Sequence, residues 1–212
     1  MASRRWLGRA LAVAHVVSFD VANTWAPGDT AILTINGKNL TLTVGTTATT
    51  TQIASDLAAM VNGGSANGDE VRSETGNNVG EFARITAAAS GSTVTLTGDD
   101  KGVPFTVSVS ETTAGDGSLT NLSTDVAATG PHHFDDADNW SGDAVPADGD
   151  DIIFDSGSVD CLYSIAQSSI TPASLVVTRG YSGRIGLPEK NEDEAELPYD
   201  EYRQQYLQLC NA

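Results

Sequence analysis

An Asn-Gly pair stands between two runs of alternating character, Ala31-Ile32-Leu33-Thr34-Ile35 and Leu40-Thr41-Leu42-Thr43-Val44. Asn36 and Gly37 tolerate the positive φ angles that a two-residue hairpin turn demands, and a period of two turns one mainly apolar face of each strand toward a core. The segment therefore reads as an antiparallel hairpin, and its surroundings must supply a β core to cover that face. A chain that is 40% hydrophobic and 18% charged, with 21 glycines, suits short strands and tight turns and excludes an all-helical fold.

The neighbouring segments extend the pattern. Residues 16–22 alternate and stop at the turn cluster Trp25-Ala26-Pro27-Gly28-Asp29. Ile53, Leu57, Met60 and Val61 recur at helical spacing, with Thr50 or Thr51 to cap the start and Asn62-Gly63 to end it. Three further strand-like runs cover 82–88, 93–97 and 105–110, parted by the turns Ser90-Gly91 and Asp99-Asp100-Lys101-Gly102. The chain is expected to be mainly β. An α+β module over 16–111 holds two three-strand groups around one helix, behind an anchoring arm at 1–15 and ahead of a Thr, Ser, Gly and Asp linker at 112–129. Residues 130–212 carry Phe134, Trp140, Val145-Pro146 and Ile152-Ile153-Phe154 among Asp and Gly turns, then short strands near 162–165 and 175–178. They read as a short-stranded β module, the start of a β-solenoid or a β-sandwich. The acidic run at 189–196 reads as a loop and 202–209 as a closing helix or strand.

A formal net charge of -17 excludes a nucleic-acid surface, which needs clustered Lys and Arg. No stretch approaches the roughly 20 apolar residues that span a bilayer, so neither nucleic acid nor membrane is an expected partner. Arg4, Arg5 and Arg9 concentrate what basic charge there is. With Trp6, Leu7 and Leu11 they precede the first strand of the module, and these six residues are the expected partner-binding set. The same stretch mimics a secretion leader in Arg4, Arg5 and Leu11-Ala12-Val13-Ala14, although Gly8 and Arg9 interrupt its short apolar part. Cys161 and Cys210 allow one bridge and no framework, and read as reduced, buried small residues.

Loop carboxylates are the best candidate site. Asp135, Asp136, Asp138, Asp148, Asp150 and Asp151, with Asp143 and Asp155 nearby, could bind calcium. Trp140 stands where an EF-hand would need its next ligand, and turn-forming aspartates on a solvated surface are the favoured reading. His132-His133 beside Asp135 has no nucleophile motif to serve, and adjacent side chains in an extended segment face opposite ways. Trp25, Trp140, Tyr163 and Tyr181 read as core plugs rather than sugar platforms. No enzyme and no cofactor is expected.

Arg5-Trp6-Leu7-Gly8, Ala12-Val13-Ala14, Gly28-Asp29-Thr30 and Thr34-Ile35-Asn36-Gly37-Lys38 resemble the amino-terminal region of uncharacterised phage and prophage virion structural proteins. Phe134, Ala137, Asn139-Trp140-Ser141-Gly142, Val145-Pro146, Gly149-Asp150-Asp151 and Phe154 resemble the lead-in to a β-helix, and Gly183, Ile185-Gly186-Leu187-Pro188-Glu189 and 199–207 continue the pattern. The resemblance implies a head-decoration, head-fibre or tail-fibre subunit in the virion, attached to the capsid or tail by its amino-terminal region. It is expected to self-assemble as a homo-oligomer, with a trimer favoured. A secreted bacterial adhesin or surface-layer module at the cell surface is the alternative.

Overall fold

A computed structural model of the chain describes residues 2–46, 48–64, 71–73, 81–186 and 206–210. The protein is mainly β, with one α-helix among the described residues. It forms two compact units, one holding the described residues from 14 to 127 and the other the described residues before 14 and from 128 onward. The first strand, β1 (Ser3–Arg5), belongs to the latter.

The unit at 14–127 contains β2 (Val16–Ala22), β3 (Thr30–Ile35), β4 (Lys38–Thr43), α1 (Thr50–Val61), β5 (Val71–Ser73), β6 (Ile85–Ser90), β7 (Thr93–Gly98), β8 (Val107–Thr112) and β9 (Ser118–Val126). They build two four-stranded antiparallel sheets, in the orders β6-β7-β2-β9 and β5-β4-β3-β8. The expected hairpin is present: Ile35 pairs with Lys38, and Asn36 and Gly37 have φ of 49° and 79°. Val17, Phe19 and Val21 of β2, Ala31, Leu33 and Ile35 of β3, and Leu40 and Leu42 of β4 are buried, as alternation requires. Ile53, Leu57, Met60 and Val61 on the helical stripe share their core.

Several boundaries differ from expectation. The helix cap is Thr49, whose Oγ1 accepts from the Gln52 N–H at 3.3 Å while Gln52 Oε1 accepts from the Thr49 N–H at 2.9 Å. This reciprocal pair needs a Gln three residues on, and that selects Thr49 over Thr50 or Thr51. Phe82–Arg84 is a 3-10 turn, so the next strand starts at Ile85. The run at 105–110 becomes β8 only from Val107, because the Phe105 N–H donates to His15 Nδ1 and the Thr106 N–H to Asn36 Oδ1, leaving neither for a ladder. The two groups of three strands are replaced by interleaved sheets.

The expected linker is in large part β9, which lies along β2 with two register shifts. As an edge strand whose side chains are mostly exposed, it is held by backbone bonds and needs few apolar residues.

The second unit pairs its strands in parallel. β1 lies beside β10 (Asp151–Phe154), and β10 beside β12 (Ser174–Val177), with Ile152 opposite Leu175 and Phe154 opposite Val177. β11 (Ala166–Gln167) pairs with β13 (Gln208–Leu209), and parallel bridges join His133 to Tyr163, Gly157 to Tyr181 and Cys161 to Ile185. The core gathers Trp6, Phe134, Trp140, Ile152, Phe154, Cys161, Ile165, Ile170 and Tyr181. Trp140 presents edges to Trp6, Phe134 and Phe154 at centroid distances of 5.1, 4.9 and 5.7 Å.

The two ends of the chain both belong to this unit. Residues 1–15 are not a free arm: β1 is a core-sheet strand and Trp6 is 2% exposed. Burying the Trp6 indole against the rings of Trp140 and Phe154 outweighs the entropy of ordering a short segment. The closing segment, left open between helix and strand, forms a short strand at Gln208–Leu209 and packs Leu207 and Leu209 on the core of its own unit, with the Gln208 N–H donating to Ile165 O. Tyr206 is exposed. Tyr202 and the acidic run at 189–196 lie outside the described residues.

Candidate functional site

The residues singled out as a basic arm and those singled out as an acidic cluster meet one another. Parallel pairing sets Ser3, Arg4 and Arg5 opposite Asp151, Ile152 and Ile153. Arg4 Nε then lies 3.2 Å from Asp150 Oδ2, Arg5 pairs with Asp155, and Arg9 pairs with Asp143 while its Nε donates to Asp138 O at 3.0 Å.

Asp150 is the centre of this arrangement. Its Oδ1 accepts from the Ala2 N–H at 2.8 Å, and its Oδ2 from Arg4 and from the Ala147 N–H at 3.3 Å. The Ala2 bond, helped by Arg4 and Ala147, holds the Asp150 carboxyl below its ordinary value against the opposing effect of burial.

The other calcium candidates are similarly engaged. Asp148 Oδ1 accepts from the Thr171 N–H at 2.8 Å, and Asp151 Oδ1 from the Ser174 hydroxyl at 2.6 Å. Asp136 Oδ1 accepts from the Asp138 N–H at 3.1 Å, capping the 3-10 turn Ala137–Asn139. Asp135 lies 3.8 Å from His133 Nδ1. Among the described residues no three His, Cys, Asp or Glu side chains group to hold a metal ion. The aspartates act as turn and strand acceptors, the role their residue type favours.

The amino-terminal segment is also gripped by Asn139-Trp140-Ser141. Asn139, fully buried, donates from Nδ2 to Gly130 O and His133 O, both at 2.8 Å, and accepts at Oδ1 from the Ala10 N–H at 2.8 Å. Its carbonyl takes the Leu7 N–H at 2.7 Å. The Ser141 N–H donates to Arg5 O, and Ser141 Oγ accepts from the Arg5 N–H, both at 2.9 Å. Trp140 Nε1 donates to Phe134 O at 2.7 Å, and Trp6 Nε1 to Val159 O at 3.0 Å. Gly8 follows with φ of 59°, where a Cβ would lie 2.4 Å from Val159 Cγ1, so only glycine lets the chain pass this close. Sequence reasoning missed Asn139 as a polar hub. Its signal was the Asn-Trp-Ser-Gly run, which composition alone leaves looking like a turn.

Of the expected partner-binding residues, Arg4, Arg5, Trp6 and Arg9 are engaged within the unit. Leu7 is 37% and Leu11 81% exposed. His132 Nδ1 lies 2.9 Å from Asp160 O, and His133 is buried with its ring 4.9 Å from Tyr163. Trp25, Trp140, Tyr163 and Tyr181 are all buried, as core plugs should be. Both cysteines are free thiols, but only Cys161 is buried, and burial pushes its thiol well above the ordinary range. Cys210 is exposed at the end of β13, not the buried residue expected. No helix among the described residues is long and apolar enough to cross a membrane. No family model matches the chain, and no curated protein matches it.

Proposed function

We propose that this chain is a non-catalytic virion structural protein of phage type, a decoration or fibre subunit whose second unit is the capped beginning of a parallel β-helix. The observation that carries this reading is the coil-like return of the chain. Asp151 meets Ser174 23 residues on, Asp160 meets Arg184 24 residues on, and the parallel bridges Gly157–Tyr181 and Cys161–Ile185 each span 24 residues, whereas His133–Tyr163 spans 30. Inward aromatic and aliphatic residues then stack from one turn of chain to the next. Asn139-Trp140-Ser141 covers the outer edge of β1, which is what the first coil of a solenoid requires of its cap. The likeness of Asn139-Trp140-Ser141-Gly142 and Gly149-Asp150-Asp151 to β-helix lead-ins supports the same reading.

Attachment to capsid or tail by the first residues keeps Leu7 and Leu11 as its exposed contacts. Self-assembly as a trimer receives no support from Leu207 and Leu209, which pack inward. The adhesin alternative is weaker where it relies on cleavage near Ala14, since that would remove β1 and Trp6 from the core.

The test is location. Antibody raised against the purified chain should decorate phage particles from an induced host in immunogold microscopy, and the chain should co-sediment with them. A chain found only in particle-free fractions or on the cell surface would overturn the assignment.

A further inference from the structure

Two Asn-Gly pairs lie among the described residues, Asn36-Gly37 in the β3-β4 turn and Asn62-Gly63 at the end of α1. In such a pair the asparagine cyclises most readily, because glycine has no side chain to hinder its own nitrogen as it attacks the preceding Cγ. In both pairs the carboxamide is held instead by groups remote in sequence. Asn62 exchanges two hydrogen bonds with the backbone of Ala87. Asn36 Oδ1 accepts from the Thr106 N–H at 2.8 Å, which fixes the other end of the carboxamide as nitrogen, and Nδ2 donates to Glu81 Oε2 at 2.5 Å. The Asn36 N–H also donates to Thr106 O at 3.0 Å, while Gly37 is exposed to solvent.

Glu81 gives this hold its consequence. It is buried and lines a small cavity with Asn36, Arg84 and Asp100, and the Arg84 guanidinium lies 3.9 Å from Asp100. A carboxylate has no hydrogen to donate, so an aspartate at position 36 would set an oxygen against the Glu81 carboxylate where the amide N–H now stands.

We infer that Asn36 is a deamidation site controlled by the fold: Thr106 and Glu81 hold it unreactive, it reacts when the hairpin leaves them, and the product cannot resume the same contacts. In the open turn solvent base takes the Gly37 amide proton and the nitrogen attacks Asn36 Cγ. The Cγ–Nδ2 bond breaks, and Nδ2 leaves as ammonia with a proton from water. Water then adds to either carbonyl of the succinimide, giving aspartate or isoaspartate, with nothing oxidised or reduced. Aspartate confronts Glu81. Isoaspartate adds a methylene to the main chain and spoils the two-residue turn that pairs Ile35 with Lys38. The change runs one way, so the site records the cumulative opening of this hairpin.

The test incubates the folded full chain in mildly alkaline buffer beside a synthetic peptide of residues 33–40, and follows aspartate and isoaspartate at position 36 by peptide mapping and mass spectrometry. Asn36 should react at least about tenfold more slowly in the chain than in the peptide, since only the opened fraction is reactive. Glu81→Ala should raise the rate in the chain by about tenfold, while Glu81→Gln, whose amide oxygen accepts the same Asn36 bond, should leave it low. Asn62 in the same molecules reports opening of the whole unit and should stay unreacted in Glu81→Ala. Asn36→Asp examines the product directly. It should lower the melting temperature by several degrees, and adding Glu81→Gln, which offers the new carboxylate a donor, should recover most of that loss. Equal rates in chain and peptide, or a Glu81→Ala rate no higher than that of the unaltered chain, would overturn the inference. So would Asn36 and Asn62 reacting together in Glu81→Ala, which would make unfolding of the whole unit the controlling step. An Asn36→Asp loss that Glu81→Gln does not recover would remove the assigned conflict with Glu81.

Discussion

Asn139 holds three backbone groups that no water reaches directly, because the residue is completely buried. Asn139→Leu strands the Ala10 N–H, while Gly130 O and His133 O each lose one partner but still accept from the His133 and Asp136 N–H groups. At about 1–3 kcal/mol for a buried group left unmade, the second unit should lose stability on that order, measured as a lowered denaturation midpoint. A midpoint within error of the unaltered chain would show that the clasp carries little stability. Asp150 adds a pH dependence at the same scale. Its folded-state value lies below the unfolded one, so its stabilisation is present above the unfolded value and is lost as pH falls through the folded value. Acid titration of the second unit should therefore show stability falling below the ordinary carboxylate range. Asp150→Asn should flatten that slope, and equal slopes for both proteins would refute the assignment.

Among the elements, the β3-β4 hairpin has the clearest local cause. Nothing lies within 4 Å of a Cβ placed on Gly37, so a substitution there meets no neighbour and its cost is purely conformational. Gly37→Val should destabilise the unit at 14–127 by on the order of 1 kcal/mol or more, since a β-branched residue resists positive φ. An unshifted melting temperature would contradict the turn geometry. The helix is similarly local at its start, but its end is not. Asn62 Nδ2 donates to Ala87 O and Asn62 Oδ1 accepts from the Ala87 N–H, which fixes the last turn of α1 to β6. The periodicity of 53–61 announces a helix and its buried face, whereas the strand that Asn62 ties down is set by the fold.

For the whole molecule, the two hydrophobic clusters share no residue. The chain leaves one unit and returns to it at adjacent points, since the Val13 N–H donates to Thr129 O at 2.9 Å. The unit at 14–127 should therefore fold when expressed alone, with a cooperative thermal transition and dispersed amide signals. A molten or unfolded isolated fragment would mean that its core depends on the rest of the chain.

The sequence by itself determined what depends on near neighbours. Alternation gave the inward residues of β2, β3, β4 and β7, Asn36-Gly37 gave the hairpin, and the 3.6-residue spacing gave the buried stripe of α1. It also marked out both halves of the candidate site, the arginines near the start and the aspartates from 135 to 155, but as separate features with separate roles. Only the tertiary structure joined them, across a sequence separation such as the 148 residues between Ser3 and Asp151. It also made a strand of the polar segment at 118–126 and built Trp6 into a core. The physical reason is common to all three. A period of two records which face of a strand is buried, but not which strand lies beside it. Backbone pairing and charge pairing over such distances follow from the packing of the whole unit.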